Sequence, residues 1–293
     1  MYIFLNGKMV LKEQAEISPF DHGYLYGIGA FETFRTYDGH PFLFDDHLSR
    51  LEDALKQLNI DMIPEKSVLL EQIRRLSIAN ELPDSYLRIN VSAGIGEIGL
   101  QTTPYSNPTT IIFQKKLPST LQQLQEKKGK LLKVKRNTPE TAERLKSHHY
   151  LNNIVAKREI ADQPLTEGIF LNEHDYVAEG ITSNIFWIKN QTLYTPAIET
   201  GILKGITRQY ILTIAPLLNL KSEEGFYSKE ALLDADEVFF TNSIQEAIPV
   251  NDIAGIEFPG KNGGFFRKIH QQYRMHSGSL WGRSEIFDNG GQQ

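Results

Sequence analysis

The amino-acid sequence predicts an α/β (α+β) fold in two domains, a small α/β domain followed by a larger, β-rich domain with flanking helices. The chain has 293 residues, which is enough for two domains of roughly 100 to 200 residues each. Both halves mix short strand-like apolar runs with apolar stripes at helical spacing. A polar stretch near the middle indicates the boundary, so we assign 1–117 to the first domain, 118–129 to a connection and 130–293 to the second domain.

The first domain is predicted to combine hairpins with two helices. Asn6-Gly7 and Asp38-Gly39 each separate two short strand-like runs, and such pairs favour tight hairpin turns. A stripe at helical spacing predicts a helix with one buried face, and its members are Leu48, Leu51, Leu55 and Leu58. Arg50 lies off this stripe. The remaining predicted elements are a helix at 65–81 and strands at 85–92 and 109–115.

The second domain is predicted to carry two charged residues at the ends of its elements. A strand at 131–135 precedes Lys146 and a helix at 149–161 follows it, so this lysine lies at a strand-to-helix junction. Glu179 lies at the end of a strand at 176–179. The other predicted elements are strands at 168–172, 184–189, 192–195 and 237–241 and helices at 209–218 and 228–233.

Composition and charge restrict the partners of this chain. Lys and Arg number 31 against 36 Asp and Glu, and no element concentrates basic residues, so we expect no nucleic-acid partner. We expect neither a signal peptide nor a membrane span, because no long apolar run is present. The absence of cysteine excludes disulfides and thiolate zinc sites and is compatible with a cytoplasmic location.

Two further stretches are interpreted without a ligand. The adjacent His148 and His149 are not expected to bind a metal, since neighbours on a helix point about 100° apart. The polar, glycine-containing stretch 277–293 offers little to anchor it to a core, so we expect a mobile tail.

Lys146 and Glu179 together suggest a cofactor. Pyridoxal phosphate needs an amine that carries it as a Schiff base, an acid at its ring nitrogen, donors at its phosphate and a group that moves protons. Lys146 can supply the amine and the base, and Glu179, which lies between apolar residues, suits a protonated pyridine nitrogen. Taken singly, Lys146 also fits a solvated surface lysine and Glu179 a turn residue on the rim of a sheet.

Candidate phosphate-binding residues lie on three segments. The guanidinium of Arg50 has a planar fork that suits phosphate oxygens, although this residue also fits the charged flank of a helix. Ile206 and Thr207 lie near the start of a predicted helix, where backbone N–H groups can face an anion. Ser243 and Ile244 offer a hydroxyl and a further N–H.

Seven segments spread over nearly the whole chain carry a resemblance to a known family: Phe4-Leu5-Asn6-Gly7, 31–35, 47–51, Lys146, 177–186, Gly205-Ile206-Thr207-Arg208 and 241–250. In this order they resemble the fold-type IV family of pyridoxal phosphate enzymes, which includes branched-chain and D-amino acid aminotransferases and 4-amino-4-deoxychorismate lyase. The resemblance implies that Lys146 bonds the cofactor and Glu179 contacts its pyridine nitrogen, with Tyr150 close by. Phosphate contacts are implied for Arg50, Ile206, Thr207, Ser243 and Ile244. A small-molecule substrate and a homodimer are implied as well.

Two stretches resemble one branch of that family, the bacterial aminodeoxychorismate lyases of the Bacillus type: 18–27 and 146–153. This resemblance implies elimination of pyruvate to give p-aminobenzoate, a step of folate biosynthesis. Ala93 stands where D-amino acid aminotransferases carry a carboxylate-binding arginine, which argues against that specificity. Tyr86-Leu87-Arg88 is similar to a substrate-side stretch of branched-chain aminotransferases, so Arg88 is a candidate for a substrate carboxylate. A sheet arginine paired with an acid is the alternative interpretation of Arg88.

Two other functions stay open. A branched-chain or D-amino acid aminotransferase would use every cofactor residue named above. It would differ in returning the proton to the cofactor and in needing an amino acceptor. A non-catalytic small-molecule binding protein on the same scaffold is the more distant alternative, since candidates for the lysine, the acid and the phosphate contacts are all present.

Overall fold

The computed structural model of the chain describes residues 1–117 and 124–288. The chain divides into two compact units: unit 1 is Met1–Leu117, Lys146–His149 and Ser277–Gln293, and unit 2 is Pro118–Leu145 and Tyr150–His276. The prediction places Lys146–His149 and the C-terminal stretch in the second domain, whereas their contacts group both with unit 1. Of the predicted connection at 118–129, residues 118–123 lie outside the described residues.

The chain contains both strands and helices throughout its length, which confirms the predicted mixed class. The strands are β1 (Tyr2–Leu5), β2 (Lys8–Leu11), β3 (Gly29–Tyr37), β4 (His40–Pro41), β5 (Ser85–Ser92), β6 (Thr109–Lys116), β7 (Lys127–Leu131), β8 (Thr166–Leu171), β9 (Val177–Gly180), β10 (Asn184–Lys189), β11 (Thr192–Pro196), β12 (Lys221–Gly225), β13 (Glu237–Asn242), β14 (Glu246–Ile253) and β15 (Ile256–Glu257). The α-helices are α1 (His22–Tyr26), α2 (Phe44–Gln57), α3 (Lys66–Asn80), α4 (Leu151–Arg158), α5 (Ile206–Ile214), α6 (Lys229–Leu233), α7 (Gly264–His276) and α8 (Glu285–Asp288).

Unit 1 is built on an antiparallel sheet whose strand order is β2-β1-β6-β5-β3-β4. Side chains alternate between the two faces of a strand. On β5 the alternation buries Leu87, Ile89 and Val91 on one face and leaves Arg88 and Asn90 half-buried on the other. The sheet therefore has one core face and one face with polar groups.

Helix α2 carries the predicted leucine stripe, and the prediction is confirmed for three of its four members. Leu48, Leu51 and Leu55 are buried, and the helix lies against β3. Leu58 comes directly after the helix, at its C-cap. Burial of each leucine contributes roughly 1.5–3 kcal/mol, so this face holds α2, and with it Arg50, beside β3.

The C-terminal segment packs on unit 1, so the predicted mobile tail is wrong for residues 277–287. Leu280 is 2% exposed and Ile286 is also buried. The Leu280 carbonyl accepts hydrogen bonds from His40 Nε2 at 2.9 Å and from the Leu43 N–H at 3.1 Å. The ring of Trp281 meets that of His40 edge-on. A few apolar residues in a polar stretch thus suffice as anchors, and residues 289–293 lie outside the described part of the chain.

Unit 2 contains a largely buried sheet with the strand order β12-β11-β10-β13-β14-β7-β8-β9, and β15 pairs with β14. Strand β7 runs parallel to β8 and β14, and β11 runs parallel to β12, whereas the other neighbours are antiparallel. One hydrophobic cluster includes Trp187 and Phe240, and another includes Phe170 and Ile202. Because apolar groups cover both faces, the central strands are continuous apolar runs in the sequence.

Some elements of unit 2 differ from the prediction. The strand predicted at 131–135 lies earlier in the chain, at Lys127–Leu131. Its Gly129 packs so closely that an added Cβ would meet Ile169 and Ile253 of the adjacent strands at 2.9 and 2.8 Å. A polar strand of this kind has no hydrophobic pattern to reveal it. The helix predicted at 149–161 is the shorter α4, and the prediction contained neither β12 nor α7.

In the described part of the chain, no helix is long and apolar enough to cross a membrane.

Docking of the C-terminal segment can be tested by removing its buried anchor. Leu280→Ala is expected to lower the free energy of unfolding by about 2–5 kcal/mol, because it deletes a buried side chain and leaves a cavity. Guanidinium-induced unfolding measures this value. Phe287→Ala is the matched control, since Phe287 is 61% exposed and its loss should change stability by less than about 0.5 kcal/mol. Equal, small effects of both variants would contradict the docking.

Candidate active site

The carboxylate of Glu179 lies buried on strand β9 of unit 2, with 4% of the residue exposed. Its Oε1 accepts a hydrogen bond from Arg136 Nε at 2.9 Å. Its Oε2 accepts from the backbone N–H of Leu203 at 3.0 Å and from Asn184 Nδ2 at 3.3 Å. A buried charge is tolerated when cations and hydrogen-bond donors surround it. This environment therefore holds the Glu179 side chain as a hydrogen-bond acceptor.

Two arginines lie beside Glu179. Arg136, itself buried, donates from Nη1 to Asn152 Oδ1 at 2.7 Å and to Asn153 Oδ1 at 3.2 Å. It therefore links the carboxylate to helix α4. Arg144 Nε is 3.9 Å from Glu179 Oε1. Burial and the neighbouring Arg136 lower the pKa of Arg144 to about 10, although Glu179 opposes the shift. The guanidinium of Arg144 is consequently charged at neutral pH.

The first turn of helix α5 is suited to an anion. The N-cap is Gly205, which has no side chain to occupy the N–H groups of the first turn. Ile206 and Thr207, the next two residues, are buried. A Cβ on Gly205 would overlap the amide of Asn184, so glycine is required for this close approach. Thr207 Oγ1 lies 3.4 Å from Ser243 Oγ, which brings two predicted phosphate-binding residues together.

In the loop after β13, the hydroxyl of Ser243 is better placed to contact an anion than the backbone N–H of Ile244. The N–H groups of Ile244 and Gln245 both donate to Asn242 Oδ1, at 3.0 and 2.7 Å. An N–H that is already engaged in this way is a weaker donor to an added anion. Of the two predicted donors on this loop, Ser243 is therefore placed better than Ile244.

In unit 1, Lys146 belongs to a short segment on the edge of β3. Its carbonyl accepts from the Phe31 N–H at 2.9 Å, and the His148 N–H donates to the Gly29 carbonyl at 3.0 Å. Lys146 Nζ lies 4.7 Å from the centroid of the Phe31 ring. The lysine is thus held by strand-like pairing to β3, and the stretch between β7 and α4 is longer than the predicted strand-to-helix junction.

Arg88 contacts the same aromatic ring. Its guanidinium carbon lies 3.6 Å from the Phe31 centroid. Its Nε and Nη2 donate to Asn90 Oδ1 at 3.2 and 2.9 Å. Within residues 1–117 and 124–288 Arg88 makes no ion pair with a carboxylate. The interpretation of Arg88 as a sheet arginine paired with an acid is therefore wrong.

Arg50, in contrast, is paired with a buried acid. Its Nε and Nη2 donate to the two carboxylate oxygens of Glu32 at 2.8 and 2.7 Å. Burial lowers the pKa of His47, so the imidazole is neutral, and its Nδ1 donates to Glu32 Oε2 at 2.6 Å. Burial alone would raise the pKa of Glu32, but Arg50 and His47 outweigh it and lower this pKa to about 2. Glu32 therefore forms its ion pair with Arg50, whereas its contact with the neutral His47 is a hydrogen bond.

Several residues around the predicted ones were missed by the sequence interpretation. They are Glu32, His47, Asn90, Arg136 and Asn184. For Glu32 a signal existed, since strand alternation places it on the same face as Ala30 and Phe34. A carboxylate on an apolar face needs a cationic partner. Asn90 and Asn184 carry no comparable signal. Tyr150, the remaining predicted residue, is half-buried at the N-cap of α4.

Comparison with known proteins places the chain in a family. The model of the class IV aminotransferases matches residues 29–253. The aminodeoxychorismate lyase of Bacillus subtilis (strain 168) is 48% identical over 263 residues, which is 89% of each chain. This chain therefore belongs to the class IV aminotransferase family.

Solved structures of a lyase and of an aminotransferase are similar to this chain. The 4-amino-4-deoxychorismate lyase from Pseudomonas aeruginosa has a TM-score of 0.81 at 27% identity, covering 94% of this chain and 99% of that one. The branched-chain aminotransferase from the thermophilic archaeon Thermoproteus uzoniensis, solved with norvaline, has a TM-score of 0.84 at 28% identity and covers 94% of this chain and 93% of that one.

The charge state of Glu32 gives a pH-dependent prediction. A carboxyl with a pKa of about 2 in the folded chain, against 4.5 ordinarily, contributes stability that is present above pH 4.5 and lost as the pH falls toward 2. Glu32→Gln should therefore be less stable than the parent chain by about 3 kcal/mol at neutral pH. This difference should narrow at acid pH. Denaturant unfolding at a series of pH values measures it.

The control for this experiment is an exposed glutamate with a similar partner. Glu71 makes a two-pronged contact with Arg74, but both side chains are more than half exposed. An exposed pair of this kind contributes little to stability. Glu71→Gln should therefore leave the pH profile of stability nearly unchanged. Matching profiles for the two variants would show that the buried pair has no special role.

Proposed function

We propose that this chain is a pyridoxal-phosphate-dependent aminodeoxychorismate lyase, which eliminates pyruvate from 4-amino-4-deoxychorismate and releases p-aminobenzoate. The observation that carries the proposal is the close similarity to the Bacillus subtilis lyase along most of both chains. The described residues support it with a buried carboxylate, an anion-binding helix start and a lysine beside an unpaired arginine.

The residues of unit 2 fit the cofactor. Glu179 presents a buried carboxylate, oriented by its hydrogen-bond donors, for a pyridinium N–H. Ile206 and Thr207 offer the N–H groups of the first turn of α5 to the phosphate, and Ser243 offers a hydroxyl. Ile244 would have to give up its bond to Asn242 in order to donate.

The residues of unit 1 supply the amine and further charge. Lys146 bonds the cofactor, and Arg50, oriented by Glu32, is assigned a phosphate contact. Tyr150, in unit 2, is assigned a position next to the cofactor. Bound pyridoxal phosphate supplies an electron-accepting ring that makes a C–H bond beside the substrate amine acidic.

Lys146 moves the proton of the reaction. Once the substrate amine has taken the place of Lys146, the free amine of the lysine removes a proton from the substrate. This proton lies on the ring carbon that bears the substrate amine. The bond from the neighbouring carbon to the enolpyruvyl oxygen then breaks, the leaving group takes up a proton to become pyruvate, and the substrate ring becomes aromatic. Glu179 holds the cofactor nitrogen protonated meanwhile. Arg88 binds a carboxylate of the substrate and orients it.

A branched-chain or D-amino acid aminotransferase is the second candidate, because it would share the cofactor residues and because a branched-chain enzyme is structurally similar. It would return the proton to the cofactor and require a keto acid to complete a cycle. A non-catalytic binding protein is disfavoured by the environments of Lys146 and Glu179.

The proposed reaction is tested by following pyruvate. The holoenzyme should release pyruvate and p-aminobenzoate in equal amounts from 4-amino-4-deoxychorismate with no keto acid added. It should be much slower with L- and D-amino acids plus a keto acid. Turnover that depends on a keto acid would indicate an aminotransferase instead. If both activities and a visible cofactor band are absent, the result would support a non-catalytic binding protein instead.

Two lysine variants control this assay. Lys146→Ala should lose turnover altogether, and borohydride reduction of the parent holoenzyme should fix the cofactor mass to the peptide that contains Lys146. Lys204→Ala removes an exposed lysine, whose Nζ lies 3.5 Å from Glu143 Oε1, and should keep both properties. An active Lys146→Ala enzyme would contradict the assignment of the lysine.

We further propose that the enzyme is a cytoplasmic homodimer that serves folate biosynthesis. The location and the pathway follow from the family resemblance. For the dimer, unit 1 carries an apolar loop patch that consists of Phe20, Tyr24, Ile95, Ile98 and Leu100, all exposed. Backbone pairing of Asp21 with Ile95 joins its two loops. Several exposed apolar residues on two paired segments are typical of a protein interface, and a second copy is the partner proposed.

The dimer predicts a specific effect of charge on the apolar loop patch. Ile98 is 75% exposed, and Ile98→Asp should shift the mass in light scattering toward the monomer, because it buries a charge in the interface. Ile63, on a different loop of unit 1 and 73% exposed, is the matched control. Ile63→Asp should leave the mass unchanged. A parent chain that is monomeric at micromolar concentration would contradict the dimer.

A further inference from the structure

Arg88 and Arg50 in unit 1 differ in how their charge is balanced. Arg50 donates two hydrogen bonds to the carboxylate of Glu32, which neutralises it. Arg88 uses the equivalent edge, Nε and Nη2, to contact a single neutral oxygen of Asn90. In the described residues no carboxylate takes the place of that amide. Arg88 is consequently an oriented cation whose charge remains uncompensated.

The hydrogen-bond chain around Asn90 can be assigned atom by atom. A guanidinium only donates, so the atom of Asn90 that it contacts must be the acceptor Oδ1. The same Oδ1 lies 3.1 Å from His148 Nε2, which therefore carries a proton and donates. Burial and the nearby Arg88 lower the pKa of His148 to about 4, so the imidazole is neutral and its Nδ1 is an acceptor. Asn90 thus receives donors from both sides and adds no charge.

The sheet places this chain of groups on the polar face that also holds Phe31. In the register of β3 and β5, Phe31 is opposite Asn90 and Thr33 is opposite Arg88. The ring of His148 stacks on Phe31, with centroids 6.4 Å apart. Gly29 makes room for this ring, because a Cβ there would overlap His148. Lys146 Nζ is close to the same Phe31 ring.

We propose that Asn90 is a specificity-determining residue which positions Arg88 while leaving its charge available to the substrate. His148 acts through Asn90 as a second positioning residue. The substrates selected are amines that carry a carboxylate remote from the reacting nitrogen, as an aromatic or cyclohexadiene carboxylate does. The inference rests on the proposed function only in placing Arg88 on the substrate side.

The decisive variant is Asn90→Asp, which keeps the shape and the acceptor but adds a negative charge beside Arg88. We expect KM for 4-amino-4-deoxychorismate to rise at least about tenfold, with kcat changed less than about twofold. Asn90→Leu is the matched control, since it removes the acceptor but leaves Arg88 charged, and it should raise KM less than Asn90→Asp does. The measurements are made at mildly alkaline pH, so that His148 stays neutral beside a carboxylate as well.

A binding measurement separates this inference from the lyase reaction itself. The holoenzyme is titrated with 4-aminobenzoate and with aniline, which lacks the carboxylate, and the cofactor absorbance reports binding. The parent enzyme should prefer 4-aminobenzoate. Asn90→Leu should keep a weaker preference, because Arg88 is still charged but no longer oriented, and Asn90→Asp should lose the preference. If the preference behaves in this way without pyruvate release, the lyase proposal fails while the role of Asn90 stands.

Two results would overturn the proposal: an unchanged preference in Asn90→Asp, or a parent enzyme that does not distinguish the two ligands. Thr33→Asp provides an independent route if Asn90→Asp does not fold. It places a carboxylate opposite Arg88 from strand β3 without altering Asn90, and it should abolish the same preference. Retention of the cofactor band in each variant verifies that the site is assembled.

Discussion

A buried carboxylate in unit 2 determines how its functional segments are arranged. Donors from separate parts of the chain converge on Glu179: the side chains of Arg136 and Asn184 and the backbone of Leu203. Arg136 extends this network to helix α4 through two asparagines. Asn184 extends it to the start of α5, where only glycine at 205 leaves enough space. Glu179 and the segment that leads into helix α5 are therefore held by one connected set of hydrogen bonds.

Unit 1 follows a different principle, which is the selective neutralisation of arginines. The buried carboxylate of Glu32 holds the Arg50 side chain in place, and the net charge of the pair is small. An amide holds Arg88 equally well in orientation but leaves its charge in place. The phosphate proposed for Arg50 would thus meet a cation that a carboxylate partly balances, whereas the substrate carboxylate proposed for Arg88 would meet a full positive charge. The two environments thus match the two ligands assigned to them.

The sequence allowed the fold class and most elements to be predicted, because periodic apolar patterns mark α2, β5 and β10 clearly. The prediction failed where an element depends on close packing and has no periodic apolar pattern. Strand β7 is polar and depends on Gly129, and the C-terminal segment is anchored by a few scattered apolar residues. At the candidate site, Lys146, Glu179 and Arg50 could be named from residue type and resemblance, and their roles stay predictions. Arg136, the partner of Glu179, could not be named, since a contact across 43 positions leaves no local trace. Glu32, the partner of Arg50, was missed although its place on an apolar strand face carried a signal.

The composition of unit 1 has a consequence for the order in which the protein can fold during synthesis. Its first 117 residues leave the ribosome early, but the strand-like segment at Lys146 and the anchor at Leu280 belong to the same unit. The edge of β3 lacks its partner until Lys146 has been translated, and the surface around His40 and Leu43 lacks its partner until Leu280 has been translated. Domains commonly fold as they emerge, from the amino terminus onward. Here unit 1 must wait for Leu280, so a nascent chain that stalls before this residue still exposes the surface around His40 and Leu43.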